Sequence, residues 1–351
     1  MFAPAWPRRL IRPGCALARR TGAATWVLWL LGTAAAPGAP AGPAAPSPAA
    51  VPKGPAPFKV VGYFPSWHGD VADIQWAYLT HVNFAFVLPS KTGALVGRDG
   101  LDRRLEPLVR AGHAHKVPVS IAIGGWNDGN DKAFEYIAPR PALRAAFVRN
   151  VMAFVQRHDL DGVDIDWEYP DEGASAAGYL ALLRELRAQL GPQGKLLTTA
   201  VVGNGSNAAG IPDAAFAEVD FVNIMAYDAD EAGADEPIKY LHHSPYEFAE
   251  ICLGFWRQRG LPQDKAILGV PFYGKNPYTP YHTLVQRDPS APGKDQLGKI
   301  YYNGLFTMKR KTALARARGG GIMIWELTED SHDARSLLRA IHEAASADPP
   351  R

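Results

Sequence analysis

The sequence has little cysteine, with only Cys15 and Cys252 among 351 residues. Cys15 falls in an N-terminal leader, so the remaining chain has one thiol and cannot form an internal disulfide. A scaffold held together by disulfides is therefore excluded, and stability must come from packing. Cys252 lies in the apolar stretch YEFAEICLGFW, where we interpret it as a core side chain rather than a nucleophile.

Excess positive charge is also absent outside the leader. The formal net charge is +2, but residues 1–36 contain five arginines and no Asp or Glu, so removing these five charges leaves −3. A body with this balance lacks the basic surface that nucleic-acid binding needs. We therefore expect no nucleic-acid partner.

A long apolar run of the length that a membrane-spanning helix needs is missing as well. The apolar run AATWVLWLLGTAAA, residues 23–36, follows a basic arm and ends in small residues, which predicts an export signal over residues 1–36. A span needs about 20 apolar residues, and an uncleaved N-terminal anchor is the alternative interpretation. Residues 37–57 are mostly Pro, Ala and Gly and predict a stiff tether. We expect a secreted or periplasmic protein.

Residues 58–346 alternate short β-branched or aromatic runs with longer helical patterns, and residues 347–351 form a tail. No run is joined to the next by a two-residue hairpin turn. The pattern predicts an α/β fold, a (β/α)8 barrel in a single domain. An open doubly wound sheet is the alternative, but GYFPSWHGD after the first run offers no G-x-G-x-x-G turn. The eight runs begin at Lys59, His81, Val117, Gly162, Leu196, Phe221, Ala266 and Gly321.

Aromatic and polar residues follow several of these predicted strands. In a (β/α)8 barrel the carboxyl ends of the strands carry the functional site, so these residues should face one mouth. Aromatic rings gathered with carboxylates are typical of a sugar-binding cleft, because pyranose faces stack on rings. The set comprises Tyr63, Trp67, Gly124, Gly125, Trp126, Tyr227, Asp228, Tyr273, Trp325 and Glu326.

The stretch DGVDIDWEYP, residues 161–170, combines the apolar character of a buried strand with four acidic residues. Strand side chains alternate between faces, so Asp164, Asp166 and Glu168 share one face and should point into the barrel. Asp161 has the opposite parity, and we interpret it as a structural residue at the start of the strand. The other face carries Val163, Ile165 and Trp167.

Three carboxylates inside a barrel cannot all be comfortably ionised. Repulsion and desolvation raise the proton affinity of at least one, and a carboxylic acid that stays protonated near neutral pH can act as a general acid. Glu168, the last in the row and nearest the mouth, is the predicted donor.

Two other interpretations of the acidic row remain open. A calcium loop would need Gly at its sixth position, where counting from Asp164 gives Tyr169. A purely structural network of buried carboxylates would be costly. We predict neither a metal nor a cofactor.

DGVDIDWE resembles the D-G-x-D-x-D-x-E signature of the family 18 glycoside hydrolases, the chitinases and their relatives. IAIGGW resembles the family's third-strand S-x-G-G segment, NIMAYD its M-x-Y-D, GVPFYGK its seventh strand and GIMIWEL its eighth-strand Trp. The resemblance runs from Lys59 to about Asp333 in the family's order and implies the same barrel.

The resemblance also implies a mechanism in which the substrate supplies the nucleophile. Glu168 would protonate the glycosidic oxygen while the 2-acetamido carbonyl of the −1 sugar attacks the anomeric carbon, forming an oxazolinium ion with retention of configuration. Asp166 would hold the acetamido N–H, and Asp164 would share a proton with Asp166. Tyr227 would donate a hydrogen bond to the acetamido oxygen.

The same resemblance implies a set of substrate-binding residues. Asp228 would contact the −1 sugar, Trp325 would form its floor, and Trp126 would stack in the +1 subsite. The remaining members of the predicted binding set are Tyr63, Tyr273, Met225 and Gly125.

This chain departs from the family pattern in three places. Ala122 stands where Ser is usual, and the acidic stretch ADEAGADE follows Tyr227 and Asp228. Only about thirty residues separate Tyr273 from a helix near Asn303, so we expect no large α+β insertion between strands 7 and 8 and a more open groove.

The predicted function is hydrolysis of β-1,4-linked N-acetylglucosamine polymers by an exported, endo-acting chitinase. One alternative is an endo-β-N-acetylglucosaminidase that acts on N-glycan or cell-wall glycan. The other is a non-catalytic chitin-binding lectin, although Glu168 is intact. We expect a monomer whose partner is an N-acetylglucosamine-containing polysaccharide, with no stable membrane partner beyond a possible N-terminal anchor.

Two histidine pairs and one basic stretch do not indicate a metal site or a partner site. His113/His115 and His242/His243 have no third ligand at a metal-binding spacing, so we interpret them as solvated. KRKTALARAR, residues 309–318, is interpreted as a solvated helix face.

Overall fold

The computed structural model describes residues 57–229 and 242–347. The predicted export signal, nearly all of the tether, the acidic stretch after Ala229 and residues 348–351 lie outside the described residues. The proposed domain boundaries, 58–346 for the barrel, therefore stay predictions.

The strands of the described residues form one closed parallel barrel with short accessory ladders. The barrel order is β1-β13-β8-β7-β6-β5-β4-β2, and β2 pairs with β1 to close it. All eight predicted runs are barrel strands, and the (β/α)8 prediction is confirmed. The strand bounds are β1 Lys59–Pro65, β2 His81–Pro89, β3 Leu95–Val96, β4 Val119–Gly124, β5 Gly162–Asp166, β6 Leu196–Val202, β7 Phe221–Met225, β8 Ala266–Pro271, β9 Tyr273–Gly274, β10 Thr279–Pro280, β11 Gln296–Leu297, β12 Ile300–Tyr301 and β13 Gly321–Trp325.

Helices cover the outside of the barrel because the connection between parallel strands must cross back over the sheet. The segment between β8 and the next long helix contains a seven-residue helix, one turn of 3-10 helix and two two-stranded ladders. The large insertion is absent there, as expected. The helix bounds are α1 Leu101–Ala114, α2 Lys132–Ile137, α3 Pro141–Arg157, α4 Ala174–Leu190, α5 Ala215–Glu218, α6 Tyr246–Gln258, α7 Tyr281–Arg287, α8 Leu305–Arg318 and α9 Leu337–Ser346.

Within residues 57–229 and 242–347, no helix combines the length and apolar character needed to cross a bilayer.

Strand β5 divides its side chains by parity, as predicted. Val163 and Ile165 are fully buried in the apolar layer between sheet and helices. Asp164 and Asp166 are also buried, but they face the barrel interior. That interior is otherwise lined by a smaller apolar cluster formed by Val61, Tyr63, Ala85, Ala122, Phe221, Tyr227, Ile267 and Met323.

Trp167 continues the outward face of β5 and ties the chain after it to two helices. Its ring stacks on Phe134 of α2, with centroids 5.1 Å apart, and meets Tyr179 of α4 edge-on at 6.0 Å. Its indole Nε1–H donates to Asp131 at 3.1 Å. With this large side chain fixed on the outside, the next residue, Glu168, is directed toward the mouth.

The prediction that residues 309–318 form a solvated basic face is wrong for one of the five basic side chains. Lys309 is exposed and pairs with Glu343, but Lys311 is fully buried in α8. Its ammonium group donates to Ser244 and Asn303, which compensates part of the cost of burial. A basic run alone could not show this, because Ser244, which accepts two of the hydrogen bonds, lies 67 positions away in sequence.

Gly178 provides a test of the packing between α4 and the chain that follows α2. A Cβ at Gly178 would lie 2.7 Å from the carbonyl carbon of Ala138, whereas a Cβ at Gly254 of α6 would meet only the end of the Arg318 side chain at 3.5 Å. Gly178→Ala should lower the free energy of unfolding by about 1–3 kcal/mol, despite alanine's better helix propensity. Gly254→Ala, the matched control, should be neutral or raise it by up to about 1 kcal/mol.

Urea unfolding at constant m value measures both changes. A Gly178→Ala variant as stable as the Gly254→Ala variant would contradict this packing.

Candidate active site

Asp164 is the deepest carboxylate of the row and is completely buried. It accepts hydrogen bonds from the hydroxyl of Tyr63 at 2.6 Å, the hydroxyl of Thr198 at 2.5 Å and the amide of Asn223 at 3.2 Å. Burial raises the pKa of Asp164 to about 6, while these hydrogen bonds oppose the rise.

Asp166 lies two residues nearer the mouth, and its carboxylate has less hydrogen-bond support than that of Asp164. Its buried Oδ1 has no hydrogen-bond partner among the described residues. Burial, followed by the charges of Glu168 and Asp164, raises its pKa well above the ordinary value. Asp166 is thus a buried carboxyl group with an unused acceptor at the inner end of the mouth.

Two glycines of β4 and its exit allow the backbone to pass close to Asp166. The amide of Gly125 donates to the carbonyl of Asp166 at 2.8 Å. Gly124 and Gly125 have φ of 117° and 86°, and a Cβ on Gly124 would lie only 2.0 Å from that carbonyl oxygen. Only glycine fits this approach, so the glycine pair fixes the end of β5.

Glu168 follows β5 and is partly exposed at the mouth. Burial raises its pKa to about 7, a side-chain hydrogen bond with Tyr169 opposes the rise, and the charge of Asp228 adds to it. A carboxyl group with this pKa holds a proton at neutral pH in a large fraction of molecules.

Tyr227 completes the interior of the mouth. It is 8% exposed, packs in the barrel's interior cluster and directs its hydroxyl toward the sulfur of Met323 at 3.8 Å. Burial, followed by the charges of Asp166 and Glu168, raises its pKa well above the ordinary value, so the hydroxyl stays a donor.

Asp228 has the opposite electrostatic character. Burial alone would raise its pKa, but hydrogen bonds from His243 and Tyr273 and the charge of Lys275 lower it. The donors reach the same oxygen, Oδ1: the Tyr273 hydroxyl at 2.6 Å, His243 Nδ1 at 3.2 Å and Lys275 Nζ at 3.2 Å. The backbone of Asp228 adopts φ of 56°, an uncommon conformation for a non-glycine residue.

The interpretation of His243 as a solvated loop residue is wrong. Its side chain is fully buried between His242 and Tyr273, and its Nδ1 contacts Asp228. Sequence reasoning also missed Thr198 and Asn223. Their positions inside β6 and β7 were the available signal, because each is a polar residue in a strand that is mostly apolar.

An aromatic group forms the floor of the mouth. Trp325, at the end of β13, stacks on Phe86 with centroids 5.4 Å apart and lies 5.7 Å from the ring of Tyr63. Trp67 lies 6.3 Å from Trp325 and is 40% exposed. Trp126 follows the glycine pair and is 60% exposed. Two of these side chains, Trp67 and Trp126, are therefore exposed to solvent.

The other predicted binding residues have different surroundings. Tyr63 and Tyr273 are almost fully buried, and their hydroxyls bind Asp164 and Asp228, respectively. Met225 is partly buried against the interior cluster. Direct contact between these residues and a sugar stays a prediction.

Two other sequence interpretations can be compared with contacts. Asp161 accepts hydrogen bonds from the Val119 amide at 2.8 Å and from His113 at 2.9 Å, which fits its structural assignment. Ala122 lies beside Asp164 in the β4–β5 register, and Ser120 lies two residues deeper beside Gly162. No hydroxyl from position 122 reaches the row.

The site combines a proton-holding carboxyl group, a buried partner carboxylate, a phenol donor and exposed indole rings. This combination is typical of (β/α)8 barrels that act on glycosides.

A comparison with known families identifies the group to which this barrel belongs. The family model for glycosyl hydrolases family 18 matches residues 59–287, more than half of the chain. The chain is a member of this family. The matched region contains the whole acidic row, Tyr227, Asp228 and Tyr273.

Solved structures and curated sequences agree with this assignment. The chitinase ChiB from the chitin utilization locus of Flavobacterium johnsoniae is 34% identical, with a TM-score of 0.73, over 83% of this chain and 94% of that chain. An endochitinase of Manduca sexta is 29% identical over 254 residues, 62% of this chain and 45% of the relative. A chitinase-like effector of Moniliophthora roreri is 29% identical over 238 residues, 60% of this chain and 57% of the relative. The chain thus spans about half the length of these two curated relatives.

The hydrogen bond from Tyr63 to Asp164 gives a stability test that depends on pH. Asp164 has a higher pKa in the folded state than the ordinary aspartate value of about 4 that it has in the unfolded chain, so its burial costs stability that develops as pH rises from about 4 to about 6 and is constant above that. Tyr63→Phe removes a bond that supports the ionised form. It should lower the free energy of unfolding by roughly 1.5–3 kcal/mol at about pH 8 and by less at about pH 4.5, where Asp164 is protonated.

Tyr179→Phe is the matched control, because its buried hydroxyl binds the neutral hydroxyl of Thr199 at 2.8 Å. Its effect should be independent of pH in this range. Denaturant unfolding at both pH values measures the four differences, and equal losses for Tyr63→Phe at the two pH values would contradict the electrostatic role of Asp164.

Proposed function

We propose that this protein hydrolyses β-1,4-linked N-acetylglucosamine polymers, chitin or chitin oligosaccharides, through a retaining, substrate-assisted mechanism. The observation that best supports this proposal is the position of Glu168. Its pKa is about 7, and it lies at the open end of a row that continues inward through the buried Asp166 and Asp164. An acid at the mouth with an unsatisfied carboxylate directly beneath suits protonation of a leaving group beside a developing positive charge.

In the first step, Glu168 gives its proton to the glycosidic oxygen as the bond to the anomeric carbon breaks. The carbonyl oxygen of the substrate's own 2-acetamido group forms the new bond to that carbon, producing an oxazolinium ion. The free Oδ1 of Asp166 supports this role, since it can accept the acetamido N–H and balance the positive charge. Tyr227 donates to the acetamido oxygen.

In the second step, Glu168 is a carboxylate and accepts a proton from water. That water attacks the anomeric carbon and opens the oxazolinium ring. The acetamido group is restored, and the anomeric carbon keeps its original configuration. Asp164 stabilises this cycle by sharing a proton with Asp166, which its raised pKa supports.

The surfaces around the row support the proposed substrate class. Trp325 forms the floor for the −1 sugar, and Asp228 binds a hydroxyl of that sugar. Trp126, with more than half of its surface exposed, stacks on the +1 sugar. The short β8–α8 segment leaves an open groove, which favours cleavage within a chain over cleavage at an end.

We further propose that the protein acts outside the cytoplasm as a monomer. A polymeric substrate cannot enter a cell, and the leader of residues 1–36 has the composition of an export signal.

Glu168→Gln tests the assignment of the acid. The variant should lose at least about 100-fold in kcat on a chitin oligosaccharide, because general acid catalysis contributes roughly 10²–10⁴-fold, while binding persists. Glu172→Gln, an exposed residue four positions later, is the matched control and should behave as wild type. Turnover is measured by chromatography of products and binding by calorimetry.

The wild-type assay includes an N-glycan and peptidoglycan beside the chitin oligomer. Release of products from the N-glycan or peptidoglycan alone would favour the endo-β-N-acetylglucosaminidase alternative. Binding of the chitin oligomer without turnover by the wild type would favour the lectin. Full activity in Glu168→Gln would refute the role of Glu168.

A further inference from the structure

Lys311 of α8 is a buried cation that the proposed mechanism does not use. Its ammonium group donates to the Ser244 carbonyl at 2.8 Å, the Ser244 hydroxyl at 2.7 Å and the Asn303 side-chain carbonyl at 2.7 Å. All three acceptors are neutral. Burial lowers the pKa of Lys311 to about 7. A buried charge with neutral partners is an expensive way to pack a helix against a barrel, so packing alone does not account for Lys311.

Lys311 holds the segment that carries His243. Ser244 receives two of the three hydrogen bonds, and its hydroxyl donates to the carbonyl of Ala226 at 2.8 Å. Asn303 also donates to the Ser244 carbonyl, at 2.8 Å. Ser244 is thereby fixed to the residue that precedes Tyr227.

His243, the neighbour of Ser244, contacts both Asp228 and the residue that follows it, Ala229. Its carbonyl accepts from the Ala229 amide at 2.9 Å, and its Nδ1 lies 3.2 Å from Asp228 Oδ1. Nε2 is buried without a hydrogen-bond partner among the described residues, so the Asp228 bond is the polar contact that orients the ring. Any shift of Ser244 moves this ring against Asp228.

We propose that Lys311 is a positioning residue for Asp228, acting from the outer helix layer through Ser244 and His243. The inference rests on the proposed function insofar as Asp228 binds the −1 sugar. Lys311 touches neither substrate nor Asp228. Its ammonium fixes the backbone at Ser244, which holds the imidazole and with it the carboxylate oxygen that also binds Tyr273.

A double-mutant cycle tests this path. Lys311→Met keeps the length of the side chain and removes the ammonium, and His243→Phe keeps a ring and removes the bond to Asp228. Lys311→Met should lower kcat/KM by about 10- to 100-fold in the wild-type background, since displacement of a reacting group by about 1 Å costs up to that much. In the His243→Phe background it should have little further effect.

Lys309→Met is the matched control, because Lys309 lies on the same helix, is exposed and pairs only with Glu343 among its described contacts. It should leave kcat/KM unchanged. Ser244→Ala is a milder variant: it removes the hydroxyl that accepts from Lys311 and donates to Ala226, keeps the Ser244 carbonyl as an acceptor, and should reduce kcat/KM less than Lys311→Met. It keeps the test available if Lys311→Met fails to fold.

The imidazole ¹⁵N signals of His243, assigned with His243→Phe, provide a readout that does not depend on turnover. Lys311→Met, or Ser244→Ala in its place, should shift these signals, and Lys309→Met should not. Unchanged signals, or equal losses of kcat/KM in both backgrounds, would overturn the proposal. A wild type without turnover would refute the proposed function, and the ¹⁵N shifts alone would then decide the positioning role.

Discussion

Two carboxyl groups, Asp164 and Asp166, are buried on the inner face of β5, and a third, Glu168, lies just beyond the end of that strand; the chemistry of the site follows from their closeness. Water would ionise all three, and the barrel prevents this by desolvating them. The deepest, Asp164, is supported by three hydrogen bonds, whereas Asp166 has an unpaired oxygen. The row therefore ends at Glu168 with a proton that is available near neutral pH. The outward face of the strand, with Trp167 between two helices, keeps the row in register.

The pKa of Asp228 is lowered, whereas the pKa values of the acidic row are raised, so the site contains two kinds of carboxyl group. Burial acts on it as on the row, yet Tyr273, His243 and Lys275 lower its pKa. Pairs of acidic groups whose surroundings move their pKa values apart are suited to separate tasks, one donating a proton and the other staying charged. The outer layer takes part in this separation, because Lys311 fixes the segment from which His243 contacts Asp228.

Much of the fold and the row was predictable from sequence, because strand periodicity and parity are local properties. The eight runs became barrel strands. Alternation alone places Val163 and Ile165 on the outer face of β5 and Asp164 and Asp166 on its inner face. The surroundings of Asp228 were not predictable, because they depend on pairs such as Lys311 and Ser244, which lie 67 positions apart. A histidine pair or a basic helix looks solvated until the topology brings its partners together, which explains the errors at His243 and Lys311.

Catalysis by Glu168 requires that the barrel hold a proton on this carboxyl group near neutral pH. A ¹³C NMR titration of the side-chain carboxyl groups, with the Glu168 signal assigned from its loss in Glu168→Gln, measures this most directly. The account predicts a midpoint near 7 for Glu168. A midpoint near the ordinary glutamate value of about 4.3 would contradict it, because Glu168 would then be ionised when a general acid is required.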